Sequence, residues 1–194
     1  MKSNPDFSIK PTIQGHKIVL RPFQSEDIQP MLNILSDYEV RKLTGSICTD
    51  QEAYTPASPE EIRKTTQWYH TLNNQCDRLD LAIVEITSNK IVGEVVFNEY
   101  DDNANKVNFR ILIGPDGRNK GLGSEATALF IKYGFDILKL HKITLQVFSF
   151  NPRSEHVYLK NGFVQEGILR EDFKYENEYI DSKMYSILSS EYYN

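Results

Sequence analysis

Ten residues, Gly117–Ala126 (GRNKGLGSEA), separate an apolar strand-like run, Val107–Ile113, from a helical run, Glu125–Leu138. A strand, a tight loop and a helix must therefore follow one another directly. Glycine at 121 and 123 removes the Cβ atoms that would keep a bulky anion away from the backbone N–H groups. The helix that follows aims the positive end of its dipole at the same spot. Arg118 and Lys120 add two cations. The loop reads as a phosphate cradle made by the N–H groups of Asn119, Lys120, Gly121, Leu122, Gly123 and Ser124, with the Ser124 hydroxyl at the helix start.

The rest of the chain arranges itself around that loop. His16–Phe23 alternates like a strand, with Ile18 and Leu20 apolar. Ser25 fits a helix N-cap, with Glu26 and Asp27 in the first turn and Ile28, Met31, Leu32 and Leu35 at helical spacing to about Asp37. Gly45–Ala57 lacks periodicity and reads as a loop. Ser58-Pro59-Glu60-Glu61 is a capping box opening a helix to about Asn73, on which Ile62, Thr66, Tyr69 and Leu72 or Asn73 share a face. Leu79–Ile86, Lys90–Tyr100 and Val107–Ile113 form an antiparallel meander, joined by turns at Thr87–Asn89 and Asp101–Lys106. A helix over Gly121–Leu138, a strand over Ile143–Phe150 and a helix over Pro152–Lys160 follow. Two last strands, Phe163–Arg170 and Tyr179–Leu188, flank the turn Glu176–Glu178. The order βααβββαβαββ predicts an α/β (α+β) fold with a mixed, mostly antiparallel central sheet and helices on both faces.

A chain of 194 residues suits a single domain with a core over about 16–188. The formal charge of −5 and pI of about 5.4 disfavour a nucleic-acid partner. Cys48, Cys76 and the four scattered histidines carry no metal-ligand spacing, so no metal is expected. There is no apolar stretch of spanning length and no signal-like N-terminus, which predicts no membrane partner and a cytoplasmic location. Aromatics around Tyr175, Tyr179, Tyr192 and Tyr193 are compatible with a homodimer.

Three phosphate ligands compete for the glycine loop. A P-loop requires Gly-Lys-[Ser/Thr], but Leu122 follows Gly121. A dinucleotide fingerprint is matched literally by Gly121, Gly123 and Ala126, but it also needs an acidic residue at the end of the next strand. That strand ends Val147-Phe148-Ser149-Phe150-Asn151. The third reading rests on similarity. Arg118-Asn119-Lys120-Gly121-Leu122-Gly123 resembles the pyrophosphate loop of the GNAT superfamily of acyl-CoA-dependent N-acyltransferases. Asn151-Pro152-Arg153-Ser154, Tyr158 and Lys160-Asn161-Gly162-Phe163 resemble that superfamily's second segment at matching spacing. His16–Pro22, Glu166-Gly167, Arg170, Tyr179–Asp181 and Met184 resemble its RimJ/RimL-like branch, which includes ribosomal-protein alanine acetyltransferases and lies close to the spermidine acetyltransferases.

The resemblance implies a GNAT fold and transfer of acetyl from acetyl-CoA to a primary amine. The acceptor it suggests first is a protein N-terminus. A small amine, polyamine or antibiotic, is the alternative, as is a CoA-binding sensor that has lost turnover. It places the pantetheine arm of coenzyme A along Phe109–Ile113, splayed from Ile143–Phe150. Ile111, Leu112 and Ile113 then bind the donor through their backbone, with an N–H near Ile111 for the developing oxyanion. It implies that Arg118 and Lys120 offset phosphate charge and that Asn151 holds the pantetheine amide or caps its helix. Tyr158, one of 11 tyrosines, becomes the general acid that protonates the leaving thiolate. The general base stays open. Where many relatives carry a strand glutamate this chain has Asn108, leaving Glu94, Glu99, Glu85 or a water relay.

Overall fold

The computed structural model describes residues 5–194. Its strands are β1 (Ile13–Gln14), β2 (Ile18–Arg21), β3 (Leu79–Glu85), β4 (Lys90–Asp101), β5 (Lys106–Ile113), β6 (Lys142–Phe148), β7 (Val164–Tyr175) and β8 (Glu178–Leu188). Its helices are α1 (Ile28–Leu35), α2 (Tyr38–Leu43), α3 (Asp50–Ala53), α4 (Pro59–Thr71), α5 (Leu122–Asp136), α6 (Pro152–Lys160) and α7 (Ser189–Tyr192). The strands form one eight-stranded sheet in the order β1-β2-β3-β4-β5-β6-β8-β7. Every neighbouring pair is antiparallel except β5 and β6. The mixed sheet with a helical crossover thus matches the architecture read from the sequence.

Local chemistry explains the elements. β3 is buried along almost its whole length because helices cover both sides of the sheet, so Leu79–Val84 has no solvent face. The capping box opens α4 as its residues demand: Ser58 Oγ accepts from the Glu61 N–H at 3.2 Å, and Glu61 Oε2 accepts from the Ser58 N–H at 2.7 Å. Asn151 Oδ1 accepts from the Ser154 N–H at 3.1 Å and starts α6, with Pro152 at its first position. Gly162, at φ +88°, ends it.

The sheet separates two apolar layers. On one side α5 and α6 pack over Phe97, Phe109, Phe130 and Ile143. On the other, α1, α2 and α4 pack through Met31, Val40, Tyr69 and Leu72 onto Ala82 and Val84. Phe97 and Phe130 stack with ring centroids 4.0 Å apart at the centre of the first layer.

Several boundaries differ from expectation. Ser25 does not cap α1. The turn before the helix is closed by Asp27, whose Oδ2 accepts from the Gln24 N–H at 2.8 Å, and whose carboxylate also holds Arg21. The aperiodic stretch after Gly45 contains the short α3, nucleated by the Thr49 hydroxyl on the Glu52 N–H. On α4 Tyr69 is the buried residue and Ile62 stays exposed, while Leu72 is buried in the turn that follows the helix. β7 runs on to Tyr175, past the expected end at Arg170, because its hairpin with β8 continues to the Tyr175–Glu178 pair. Of the aromatics expected at the surface, Tyr179 and Tyr193 are exposed, whereas Tyr175 is buried and Tyr192 packs on Phe135.

Phe97→Ala should empty the centre of the α5-side layer and lower stability by roughly 3–5 kcal/mol, read as a shifted urea midpoint with an unchanged slope.

Candidate active site

The parallel contact between β5 and β6 lasts three residues, Lys106–Asn108 against Lys142–Thr144. Beyond it the strands part. β5 remains paired with β4 as far as Ile113, and β6 with β8 as far as Phe148. Each strand therefore keeps one satisfied edge and presents one open edge to the gap. A cavity of about 740 Å³ fills this gap, and Ile111, Leu112 and Ile113 line it from the open edge of β5.

At one end the cavity meets the glycine loop. Arg118, Asn119, Gly121, Leu122, Gly123 and Ser124 line it there. Asn119 at φ +60° and Gly121 at φ +82° lie in the left-handed region, which turns the loop into α5. A Cβ on Gly123 would come within 3.3 Å of the Ile113 side chain, so the loop is pressed against the strand. Arg118 is not a free rim cation, because its guanidinium is held by Asp37 and Glu39. Its Nε is buried without a hydrogen-bond partner. Lys120 does not line the cavity and instead pairs with Glu85 at 3.0 Å. That same pair removes Glu85 from the list of candidate bases.

Across the gap, Tyr158 and Asn151 come into the cavity wall from α6, both buried. Phe109 and Phe163 both pack edge-on with the Tyr158 ring. Burial pushes its phenol up to about 12, with the Ser154 hydroxyl a smaller opposing influence. Tyr158 is therefore a neutral O–H donor at physiological pH.

The opposite face of the sheet contributes a polar group in which Glu94, Glu99 and Asn108 are joined by residues that sequence patterning did not single out. Register puts Asp80 beside Val96, Val96 beside Arg110, and Glu94 between Ala82 and Leu112. Trp68, Arg78, Asp80, Glu94, Glu99, Asn108 and Arg110 all line the cavity. Asp80 is held by Arg78 through two hydrogen bonds of 2.7 Å, and Arg78 lies 4.8 Å from the Trp68 ring. Asn108 donates to Asn98 Oδ1 at 2.9 Å. Glu94 is half-buried and accepts from the Tyr69 hydroxyl at 2.9 Å. Burial raises its carboxyl to about 7, with nearby Asp80 adding to the rise and the Tyr69 bond, Arg110 and Arg78 opposing it. Glu94 is thus a covered strand residue and not a solvent-facing one. Among the described residues, no cluster of three or more His, Cys, Asp and Glu side chains is placed to hold a metal ion, and no helix is long and apolar enough to cross a membrane.

An open strand edge leading to a glycine loop at a helix start suits a long donor with an amide-bearing arm and a diphosphate. The unpartnered Arg118 Nε and the backbone-lined loop fit such a diphosphate. These features define a coenzyme A-dependent acyltransferase. The family model "Acetyltransferase (GNAT) domain" matches residues 17–164. A spermidine N(1)-acetyltransferase of Vibrio cholerae is 37% identical over 112 residues, covering 58% of this chain and 65% of that protein. A spermidine N(1)-acetyltransferase of Escherichia coli is 27% identical over 180 residues, covering 92% and 89%. The crystal structure of a Vibrio cholerae spermidine N-acetyltransferase in complex with CoA and spermine superposes with a TM-score of 0.78 at 25% identity, covering 92% of this chain and 99% of that one. The chain belongs to the GNAT acetyltransferase family, and its acyl donor is acetyl-CoA.

Glu94 makes a stability prediction of its own. Its folded-state pKa lies above the unfolded value, so its penalty is absent below the unfolded pKa and grows as pH rises towards about 7. Glu94→Gln, which still accepts the Tyr69 bond, should stabilise the protein by on the order of 1–3 kcal/mol at pH 8. Thermal melts at pH 8 and pH 4 should show that gain only at pH 8.

Proposed function

We propose that the chain acetylates a primary amine of a small polyamine. The observation that carries this reading is the shape and charge of the cavity. It joins the glycine loop on one side of the sheet to a carboxylate-bearing wall, Glu94 and Glu99, on the other. Arg78, Arg110, Arg118 and Arg153 also line the cavity, so the attraction for ammonium groups is local, at Glu94 and Glu99, which form no salt bridge among the described residues. Relatives named as spermidine acetyltransferases support the small-amine alternative over a protein N-terminus and over the RimJ/RimL-like branch. The continuous sheet supports treating residues 16–188 as one catalytic unit.

In this reading, N–H groups from Asn119 to Ser124 hold the diphosphate of acetyl-CoA at the start of α5, and Arg118 Nε adds a side-chain donor. Lys120 serves the loop at longer range, from its pair with Glu85. The arm lies against the open edge of Phe109–Ile113 as an added strand would, with Asn151 at its inner end. The N–H near Ile111 faces the thioester oxygen, where negative charge develops. Acetyl-CoA supplies an activated acyl group, and the chain supplies position and protons. Tyr158 delivers its proton to the departing sulfur, and the closely packed Phe109 and Phe163 rings keep water from doing so at random.

Release of CoA thiol, measured over spermidine, spermine, lysine, an alanine-ended peptide and an aminoglycoside, tests the acceptor. Spermidine or spermine should give the highest kcat/KM, and a peptide preference would overturn the reading. Tyr158→Phe should lower kcat about 10²–10³-fold with little change in CoA affinity. Gly121→Ala places a Cβ in the left-handed region and should weaken CoA binding roughly tenfold by calorimetry.

A further inference from the structure

Four carboxylates line the cavity: Asp80, Glu94, Glu99 and Asp172. Three are poorly placed to take a proton from an incoming amine. Asp80 is committed to Arg78 through both oxygens. Asp172 lies on β7, where Gln146 donates to it. Glu99 is exposed to solvent on the bulge that ends the regular β4 pairing. Asn108 cannot accept a proton usefully, and its amide is engaged by Asn98.

Glu94 differs from all of them. It forms no salt bridge among the described residues. Its one hydrogen-bond partner is the neutral Tyr69 phenol, which donates to Oε2 and leaves Oε1 without a partner, and the residue lines the cavity. Its register partner Leu112 belongs to the same open-edged segment of β5 as Ile111, so the carboxylate stands one strand away from the expected thioester position. The groups around it are Tyr69 from α4, Asp80 and Arg78 from β3 and its approach, and Arg110 from β5. The two arginines and the two carboxylates nearly balance, and the side chain remains partly desolvated.

We propose that Glu94 is the general base of this acetyltransferase, taking up a role that the β5 position Asn108 cannot perform. The step balances as follows. An acceptor ammonium cedes one proton to Glu94 Oε1. The neutral nitrogen forms the C–N bond to the acetyl carbonyl carbon while the C–S bond breaks. The thiolate receives a proton from Tyr158, and the second nitrogen proton restores Tyr158. Glu94 then releases its proton to solvent, so the products are the amide, CoA thiol and one proton. A carboxyl raised to about 7 is better matched to this task than one at its ordinary value, because it holds the proton more firmly yet is still ionised at neutral pH. The assignment rests on the acetyltransferase reading but not on which amine is accepted.

The test is a steady-state pH profile on whichever amine the wild-type enzyme turns over fastest. The wild-type kcat should rise through a limb near pH 7 and then level. Glu94→Gln should lower kcat at pH 7 at least 10²-fold, a loss larger than any rise in the amine KM. Its rate should instead climb steadily towards pH 10 as the free amine deprotonates. Tyr69→Phe removes a bond that lowers the Glu94 pKa, so its limb should move to higher pH. Melting curves and CoA calorimetry on each variant confirm a folded, donor-competent protein. A Glu94→Gln kcat within threefold of wild type overturns the proposal, as does a raised amine KM with kcat intact, which would make Glu94 an ammonium anchor. If polyamines are poor substrates but another amine is turned over, the acceptor reading fails while the Glu94 comparison still decides its own question.

Discussion

The site depends on where the β5–β6 ladder stops. Sheet strands separate only when something else satisfies their backbone, because an unpaired buried N–H or C=O costs about as much as a lost hydrogen bond. Here β5 is satisfied on its far edge by β4 and β6 on its far edge by β8, each for its full working length. The inner edges can therefore open after Asn108 without unravelling the sheet. This opening connects two faces that an intact sheet would isolate, the α5–α6 face with the glycine loop and Tyr158, and the α1–α4 face with Glu94. A two-substrate reaction needs such a passage, since donor and acceptor approach a shared carbonyl from different sides.

Holding the gap open falls to its rims. On one rim the glycine loop is pressed onto Ile113, and Gly117 lies so close to Val92 that a Cβ there would come within 2.9 Å. On the other, α6 is fixed by its Asn151 cap and by the aromatic group Phe109, Tyr158 and Phe163. Arg118 adds a tie between the loop and the N-terminal helices through Asp37, the residue that also caps α2. The glycine loop and the N-terminal helices are thus mechanically joined through one guanidinium. That joint explains why a cation expected to face the ligand alone is shared with two carboxylates.

Much of this was legible in the sequence, and the legible parts share a cause. The glycine loop, the Asn151 cap with its proline and the Ser58 capping box are local chemistry, set by neighbours a few residues away. Tyr158 was legible through its spacing from Asn151, two turns along one helix. Lys120 misled because its partner Glu85 lies on another strand, and long-range pairing leaves no local trace. Tyr175 misled for a similar reason: an aromatic near a hairpin end looks exposed until α3 folds over it and Asp50 accepts its hydroxyl. The short α3 escaped notice because four residues carry no periodicity.

Glu94 was legible as one candidate base, but its coverage was hidden by a subtler effect. Alternation in β4 suggests that a polar residue between Gly93 and Val95 faces water, as it would in a sheet with one solvated face. That inference fails once α1 and α4 cover the same face. Asp80, Glu94, Asn98, Asn108 and Arg110 then form a polar track under a helical layer, where each member needs a partner. Asp80 has Arg78, and Asn98 has Asn108. Glu94 has only a phenol, and its carboxyl rises accordingly. A half-buried acid with no direct ion pair destabilises the fold above neutral pH, and a chain selected for stability alone would have filled that place with an apolar side chain or a directly paired arginine. The imbalance makes physical sense where a proton has to be collected from a cation and then let go.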